Sequence, residues 1–424
     1  MSGELGLLRR EGRRASAHLD RFLATPKFEA IALSAVFLWS LAAMALIVLS
    51  GTQHDYELYV TIWKHILAGG DPWQTTGIPF NAYGPIHTWF AYLLDIGGAD
   101  ESVYSPKIVF GSSFLIVNLW MVLLLLWRNP KPRAASYVAY AVLVPLNYLV
   151  IGVAFIDGDN DTLVAALVGL ALIMRLRNHL AWAGVLLGLA ILMKYYPALL
   201  IPFFCLDRRK VRVTPAIAAA VTVMVGLLVT YLKWGESLFN AVTFGAQRGS
   251  GSLSVIHFLG TQRWIDPGLN DRLSATNSLM VVGSICVLFL VAYRIRLTWL
   301  EGSMLAGLTM VIVYMVGHQQ FLLVWIVLLV GLLVEGSRRS RSLVYLSLPL
   351  VILMSAYQAA FHVYWWSGLF LEDEARFVRD QVGLPFFITG VATVVASLVA
   401  VSRQGKVPAD PGRSPAQHPR EPIA

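Results

Sequence analysis

The hydrophobic and polar positions of this chain form long blocks, with apolar runs separated by short polar connections. A membrane-spanning helix needs about 17–25 mostly apolar residues, and runs of this kind recur between residues 29 and 402. The pattern therefore predicts an all-α polytopic membrane protein. The predicted segments are 29–50, 108–127, 135–155, 160–175, 180–206, 213–232, 276–293, 299–316, 320–334, 342–362 and 384–402.

Two stretches modify this division. The run 86–98 is too short to span and is predicted to be interfacial or re-entrant, within the first outer loop. Segment 180–206 contains Pro197, a residue that breaks or kinks a helix. It is either one kinked helix or two shorter helices that meet at a turn on the outer side, so the total is 11 or 12 spans.

The charges indicate the orientation of these segments. One face of the predicted topology receives roughly 24 of the 33 Lys and Arg residues, and by the positive-inside rule this face is cytosolic. The opposite face holds about 16 of the 25 Asp and Glu residues. The polar segments that could carry chemistry all fall on this outer face, at 51–107, 156–161, 194–197, 233–275, 317–320 and 363–383.

Composition narrows the class of protein further. The chain is 57% hydrophobic and 14% charged, far more apolar than an average soluble domain. Its net charge of +8 is divided among short clusters, which excludes nucleic acid as a partner. Cys205 and Cys286 lie inside apolar segments, so neither a disulfide framework nor a cysteine-based metal site is predicted.

Residues 1–28 are predicted to be a cytosolic basic arm, residues 29–402 the transmembrane domain, and residues 403–424 a disordered cytosolic tail.

Acidic residues follow the first apolar segment directly. In HDYELY, Asp55 and Glu57 flank Tyr56, and the YVTIWKHIL that overlaps and continues it has helical spacing. A carboxylate between membrane and water is a candidate general base. It is equally a favourable N-terminal charge on a short interfacial helix. The residues alone leave both interpretations open.

The motif IDGDND places Asp157, Asp159 and Asp161 within five residues between two spans. Such a run can bind a hard cation through its oxygens. Alternatively, Asp159, Asn160 or Asp161 can cap the helix that follows. The cap needs no further ligands, so a divalent metal is not favoured and no cofactor is predicted.

Candidate anion ligands lie in the remaining outer segments. Lys194, before Tyr195, stands at membrane depth, where an ionisable residue is expected to pair with an anion or to snorkel to the interface. Arg248 lies among glycines and serines with His257 nine residues later, a composition typical of a phosphate cradle and of a flexible loop. His318, Gln319 and Gln320 open a late span, where they bind a ligand or cap the helix.

Four stretches in this order resemble the C-class integral-membrane glycosyltransferases. They are DYELYVTIWKHILAGGDPW, NAYGPIHTWFAYL, the segment from GDNDTLV to KYYPALLIPF, and GHQQFLLVWIVLL. The likeness is to the branch that contains the first mannosyltransferase of GPI-anchor assembly and the mycobacterial polyprenol-phosphate-mannose-dependent phosphatidylinositol mannosyltransferase. It covers residues 50 to about 335.

The resemblance implies the C-class fold and the inverting transfer of a hexose, mannose in this branch. The donor is a polyprenyl-phosphate sugar, and the acceptor is a lipid-linked or glycan hydroxyl on the non-cytosolic face. The family's first-loop acid corresponds to Asp55, the general base, with Glu57 next in line. Its lysine before tyrosine-proline corresponds to Lys194, and its Gln-aromatic pair to Gln320 and Phe321.

The chemistry agrees with these residue types. A phosphate leaving group already bears charge, so the enzyme needs cations to hold it and a base to accept the acceptor proton. No GxGxxG fingerprint for a nucleotide occurs in a βαβ context. The predicted donor-phosphate ligands are Lys194, Arg248, His257 and His318, and the predicted sugar or acceptor ligands are Tyr83, Tyr195, Gln319 and Gln320.

Two other classes of function stay open from the residues. The first is a membrane transporter or lipid flippase for a phosphate-bearing lipid, because intramembrane charges often mark transport. The second is a non-enzymatic membrane scaffold. Against transport, the charges lie at one face and no inverted repeat is evident.

The short chain with its Pro-rich tail favours a bacterial plasma membrane, with the site on the periplasmic or extracellular side.

Overall fold

A computed structural model describes residues 25–51, 54–74, 81–95, 104–128, 134–241, 250–366 and 380–404. These residues form an all-α polytopic membrane protein, which confirms the predicted fold class. The basic arm up to residue 24 and the tail from residue 405 lie outside the described residues, and both assignments stay predictions.

The first half of the chain forms nine helices. They are α1 (Pro26–Leu49), α2 (His54–Leu67), α3 (Pro85–Trp89), α4 (Ala91–Asp95), α5 (Ser105–Arg128), α6 (Ala134–Leu143), α7 (Tyr148–Val150, continued by the π-helical turn Ile151–Asp157), α8 (Asp161–Leu176) and α9 (Leu180–Met193), counted over the described residues.

The second half begins with a 3-10 turn, Tyr196–Leu200, that leads into α10 (Ile201–Cys205). The small hairpin of β1 (Leu206–Asp207) and β2 (Lys210–Val211) follows, with Leu206 opposite Val211. The remaining helices are α11 (Thr214–Trp234, extended by a 3-10 turn Gly235–Phe239), α12 (Val255–Thr261), α13 (Pro267–Ile295), α14 (Trp299–Val313), α15 (Leu322–Glu335, preceded by a 3-10 turn Gln319–Phe321), α16 (Arg338–Trp366) and α17 (Gly383–Gln404).

Within the described residues, seven stretches are long and apolar enough to cross a membrane. They are Ala30–Leu49, Ser105–Trp127, Ala135–Asp157, Thr214–Phe239, Pro267–Ile295, Arg338–Val363 and Gly383–Gln404. Shorter apolar helices occupy Leu180–Met193, Tyr196–Cys205, Trp299–Val313 and Gln319–Glu335, and α8 adds a further one. Every predicted segment thus overlaps a helix.

Segment 180–206 is two helical pieces that return to their starting side. Arg175 donates from Nε to the carbonyl oxygen of Phe204 at 3.3 Å, and Arg212 donates to Asn178 at 2.9 Å. These contacts join the chain before α9 to the chain after α10. The reversal occurs at Lys194, whose backbone is extended, and confirms the two-helix alternative.

Some predicted boundaries are wrong. Helix α13 begins at Pro267 and not at residue 276, because the Asp266 side chain caps it by accepting from Gly268 N at 2.9 Å. The predicted loop 233–275 therefore contains helical turns, α12 and the start of α13. Segment 135–155 is interrupted at Asn147. The described part of the short run 86–98 forms the short helices α3 and α4, and residues 96–98 lie outside the described residues.

The central helices pack closely because small residues let backbones approach, as is usual in membranes. A Cβ added at Gly184 of α9 would lie 2.3 Å from the carbonyl oxygen of Pro215, and one added at Gly188 would lie 2.7 Å from Thr222 Cβ. Residues 322–334 of α15 are buried throughout, whereas α11 and α13 expose apolar side chains suited to lipid.

Three central helices end next to the polar motifs. Non-helical backbone follows at 158–160, 194–195 and 314–318. Such backbone is tolerated at membrane depth where it is buried in protein or lines a cavity. These breaks contain IDGDND, Lys194 and the GHQQ motif, so the fold brings the polar motifs together at one end of the bundle.

Candidate active site

Helix α2 presents one face to the protein and the other to solvent. Tyr56, Tyr59 and Trp63, spaced three and four residues apart, are fully buried. Asp55 is half-buried and lies one turn before Tyr59 on the inner side, whereas Glu57 is exposed. Both acids stand in the first turn of α2, where their charge is favourable to the helix dipole. This position is compatible with a catalytic task for Asp55, because Asp55 faces inward.

The three carboxylates of IDGDND point to three different partners. Asp157 pairs with His362 Nε2 at 3.3 Å. Asp159 accepts a hydrogen bond from the Tyr59 hydroxyl at 3.1 Å. Asp161, at the start of α8, pairs with Lys194. The π-helical turn and the left-handed backbone of Gly158 (φ 71°) rotate successive aspartates apart.

The predicted side-chain cap at IDGDND is wrong. Asn160 occupies the N-cap position of α8 but makes no side-chain capping bond. The neighbouring acids are already engaged, Asp159 with Tyr59 and Asp161 with Lys194. In the part of the chain that the structure describes, no group of three or more His, Cys, Asp or Glu side chains could hold a metal ion.

Lys194 has an anionic partner, as predicted, and the partner is Asp161. Its ammonium donates to Asp161 Oδ2, and the Tyr196 hydroxyl donates to Oδ1 of the same carboxylate at 3.0 Å. The ammonium also lies 5.1 Å from the centroid of the Tyr83 ring and 5.5 Å from that of Phe321. Burial of the pair excludes the snorkelling alternative.

Asp55 and Lys194 act on the same buried carboxylate. Burial raises the pKa of Asp159 well above its usual range, and the charges of Asp55, Asp157 and Asp161 raise it further, whereas Lys194 lowers it. Asp55 stands one turn before Tyr59 on α2, and the Tyr59 hydroxyl donates to Asp159. The predicted base and the predicted lysine therefore belong to one cluster, which we call the carboxylate cluster: Asp55, Asp157, Asp159, Asp161 and Lys194.

Tyr83 is held against Lys194 by its loop. The Trp73 indole N–H donates to the carbonyl oxygen of Tyr83 at 3.2 Å, and Gly84 N donates to the carbonyl oxygen of Met193 at 3.1 Å. Glycine is required at position 84 because a Cβ there would lie 2.2 Å from the carbonyl oxygen of Leu192. The Tyr83-Gly84-Pro85 motif thus joins the first outer loop to the end of α9.

The remaining predicted ligands lie in two neighbouring segments. Gly251 N donates to the Met315 carbonyl oxygen at 2.7 Å, and Leu253 N donates to that of Gly317 at 3.1 Å. His318 is 6.0 Å from Phe321, ring centroid to ring centroid, so it stands near the ring that Lys194 faces.

His257 lies on the adjoining helix α12. Its Nε2 is 3.1 Å from Asp380 and its Nδ1 is 3.2 Å from Ser250 Oγ. Gln320 is buried and Gln319 half-buried. Tyr195 is half-buried and packs beside Trp73. Arg248 lies outside the described residues, so its assignment stays a prediction.

Two residues of this region were missed at the sequence level. Lys107, placed just before a predicted span, is fully buried, and its ammonium donates to Ser50 Oγ at 2.8 Å and to the carbonyl oxygens of Gly51 and Ile156 at 2.7 Å each. It ties the end of α1 to IDGDND. A lysine at the edge of a predicted span gives no such signal until its packing is known.

His87 is the second missed residue. It is fully buried, and neither ring nitrogen has a hydrogen-bond partner among the described residues. Its ring lies 4.4 Å from that of Tyr83. Burial lowers the pKa of His87 well below its usual range, and the charge of Lys194 lowers it further. A neutral imidazole therefore stands beside the lysine, and NAYGPIHTWF was the signal that could have drawn attention to it.

Comparison with known proteins decides the class of chemistry. The model of glycosyltransferase family 87 matches residues 81–325, more than half of the chain. The chain belongs to glycosyltransferase family 87. The matched range includes Tyr83, IDGDND, Lys194 and the GHQQ motif, and it begins after Asp55. The protein is thus a membrane glycosyltransferase, which decides for an enzyme against a transporter or scaffold.

Comparisons with curated proteins and with solved structures do not narrow the function further. No curated protein matches the chain significantly. Among solved structures, the chain is similar to ArnT from Cupriavidus metallidurans bound to undecaprenyl phosphate, at 13% sequence identity and a TM-score of 0.46. That similarity covers 88% of this chain and 78% of the ArnT chain.

The raised pKa of Asp159 predicts a pH-dependent stability for this family 87 enzyme. Above the unfolded carboxyl pKa of about 3.9, the unfolded chain releases a proton that the folded protein keeps, so stability falls as pH rises, by at most about 1.4 kcal/mol per pH unit. We expect Asp159→Asn to flatten the decline in melting temperature above about pH 4. Thermal unfolding in detergent across pH 4–8 would measure this, and equal slopes in both proteins would contradict it.

The close approach at Gly84 predicts a second effect. Gly84→Ala should push the Tyr83 loop away from α9 and destabilise the protein by about 1–3 kcal/mol, the usual range for overpacking, with a loss of sugar transfer. Gly283→Ala is the matched control, because a Cβ at Gly283 meets nothing within 4 Å. Melting temperature and transfer rate measured together test this, and an active, equally stable Gly84→Ala protein would show that the contact is dispensable.

Proposed function

We propose that the protein transfers a hexose, with mannose the first candidate, from a polyprenyl-phosphate sugar to a hydroxyl group of a lipid-linked or glycan acceptor. The transfer takes place with inversion on the non-cytosolic face of a bacterial plasma membrane, and Asp55 acts as general base. One observation carries the proposal. In a family 87 chain, Asp55 stands one turn before Tyr59, whose hydroxyl donates to Asp159, and Lys194 pairs with Asp161 two residues further along, so both lie at the end of the bundle for which the positive-inside rule predicts the non-cytosolic face.

The proposed reaction is a single displacement. Asp55 accepts the proton of the acceptor hydroxyl while the acceptor oxygen bonds to the anomeric carbon. The bond between that carbon and the phosphate oxygen breaks, and the polyprenyl phosphate leaves with the electron pair. One displacement inverts the configuration. A half-buried carboxylate on the rigid first turn of α2 is suited to this task, because a general base must be positioned within hydrogen-bond reach of the proton.

The leaving phosphate needs positive charge and hydrogen-bond donors. Lys194 and His318 lie near the Phe321 ring, and His257 lies on the segment that packs beside residues 315–317. Lys194 and His257 are each paired with a protein carboxylate, Asp161 and Asp380. We therefore propose that donor phosphate shares or displaces these partners when it binds, and that Arg248 contributes from the neighbouring segment.

Aromatic and amide groups supply the sugar or acceptor side of the proposed site. The Tyr83 ring lies against Lys194, Tyr195 follows Lys194 in the break at 194–195, and Gln319 and Gln320 follow the break at 314–318. Mannose is preferred because the motifs resemble those of the polyprenol-phosphate-mannose-dependent branch. The lipid-phosphate donor is supported by the lack of a nucleotide-binding fingerprint in the sequence.

A direct assay tests the proposal. Purified protein in detergent would be given labelled polyprenyl-phosphate-mannose, polyprenyl-phosphate-glucose or GDP-mannose, with a bacterial lipid extract as acceptor. We expect label to enter a glycolipid from a polyprenyl-phosphate sugar and not from the nucleotide sugar. Transfer from GDP-mannose alone would overturn the lipid-phosphate donor, and preference for glucose would overturn mannose while leaving the donor class intact.

A further inference from the structure

A basic cleft lies at the opposite end of the bundle from the carboxylate cluster. It has a volume of about 520 Å³, within the usual range for small-molecule sites. The hairpin between α10 and α11, the α13–α14 turn and the end of α15 form its walls. Its basic side chains are Arg208, Arg209, Lys210, Arg212 and Arg296.

Two carboxylates, Asp207 and Glu335, also line the cleft, so the five cations exceed the anions by three. The hairpin is fixed over the α13–α14 turn by a hydrogen bond from Arg208 N to the Leu297 carbonyl oxygen at 2.8 Å. The cleft is therefore a shaped concavity built by three parts of the chain. Arg208, Arg209, Lys210 and Arg296 are exposed and Arg212 is half-buried, so the basic side chains of the cleft are accessible to an anion.

Two of its arginines occupy backbone conformations that favour glycine. Arg208, at the tip of the two-residue hairpin, has φ 60°, and Arg296, which ends α13, has φ 60° in the left-handed region. Hairpin turns and helix C-termini with positive φ usually carry Gly or Asn. The chain places arginine at both positions, and both side chains line the same cleft. The positive φ values of Arg208 and Arg296 thus coincide with two of the positive charges of the cleft.

We propose that this cleft binds the phosphate group of an anionic phospholipid from the cytosolic leaflet. Several arginines around one concavity match the geometry of a phosphate, which accepts forked hydrogen bonds. The cleft lies at the ends of membrane helices, where a lipid headgroup arrives by lateral diffusion. Basic pockets between helices on the cytosolic side are known to hold anionic headgroups. The proposal is independent of the sugar donor and of the outer site.

The backbone conformations supply variants that keep the fold. Arg208→Gly and Arg296→Gly remove charge while relieving positive φ, so we expect melting temperatures in neutral detergent equal to or above that of the wild type. Arg263→Gly is the matched control, because Arg263 also has positive φ (56°) and follows α12 on the opposite side. Loss of lipid binding in the first two variants alone would then reflect the cleft and not the fold.

Native mass spectrometry of the purified protein with phosphatidylglycerol or phosphatidylcholine measures binding. We expect the wild type to retain phosphatidylglycerol in preference to phosphatidylcholine. Its affinity for phosphatidylglycerol should be about fivefold weaker in each cleft variant and unchanged in Arg263→Gly. Equal retention by wild type and both cleft variants would overturn the proposal. A parallel thermal titration with inorganic phosphate separates the source: stabilisation by phosphate without phosphatidylglycerol selectivity would identify a soluble anion and overturn the lipid assignment.

Discussion

Replacing Asp55 by Asn should lower the rate of sugar transfer by on the order of 10²–10⁴-fold, the usual contribution of a general base. Asn is close to Asp in size and cannot accept the acceptor proton, so the fold of α2 should persist. The half-burial of Asp55 and its proximity to Asp159 explain why this acid and not its neighbour is chosen. The rate of label transfer at saturating donor, with a melting temperature from the same sample, is the required measurement.

Glu57→Gln is the control for that variant. Glu57 stands on the same turn of α2 but is exposed, so we expect its transfer rate to stay close to that of the wild type. An equal loss in both variants would point to the charge of the helix terminus as the cause. Full activity in Asp55→Asn would remove Asp55 from the mechanism.

Lys194→Met should damage both stability and activity. It leaves the Asp161 carboxylate buried with the Tyr196 hydroxyl as its remaining side-chain partner, and breaking a buried ion pair in this way usually costs about 3–5 kcal/mol. Transfer should fall sharply because the proposed phosphate-binding cation is gone. Thermal unfolding in detergent and the transfer assay measure the two effects separately.

A double variant separates structure from chemistry in this pair. Lys194→Met with Asp161→Asn removes both charges and keeps an acceptor for Tyr196, so we expect it to be more stable than Lys194→Met alone, because the pair is not additive. Its transfer rate should stay low. Recovery of transfer together with stability would mean that Lys194 serves only to neutralise Asp161.

The gathering of the polar motifs at one end of the bundle could be predicted from the sequence, because it follows from run length and charge. Asp55 and Lys194, for example, were both predicted for the end of the bundle where the structure has them. For segment 180–206 the sequence left two alternatives, one kinked helix or two helices. The contacts of Arg175 and Asn178 with the chain after α10 decide for two helices, which meet at the turn between Lys194 and Pro197.

Partner choice across helices could not be predicted from the sequence. The three aspartates of IDGDND look equivalent in the chain, but the π-helical turn and Gly158 direct them to His362, Tyr59 and Lys194 in turn. A pattern of residue types carries no information on such rotations. The same reason explains why Lys107 could not be predicted, since its three oxygen partners come from Ser50 and Gly51 after α1 and from Ile156 in the π-helical turn.

The most direct test of the central claim is a cryo-EM structure of the protein with a non-transferable phosphonate analogue of polyprenyl-phosphate-mannose. We predict that the phosphonate lies by Lys194 and His318, and that Asp55 faces the anomeric carbon from the side opposite the phosphonate, with room for an acceptor hydroxyl between them. A sugar bound away from α2, or with Asp55 and the phosphonate on the same side of the anomeric carbon, would contradict the account.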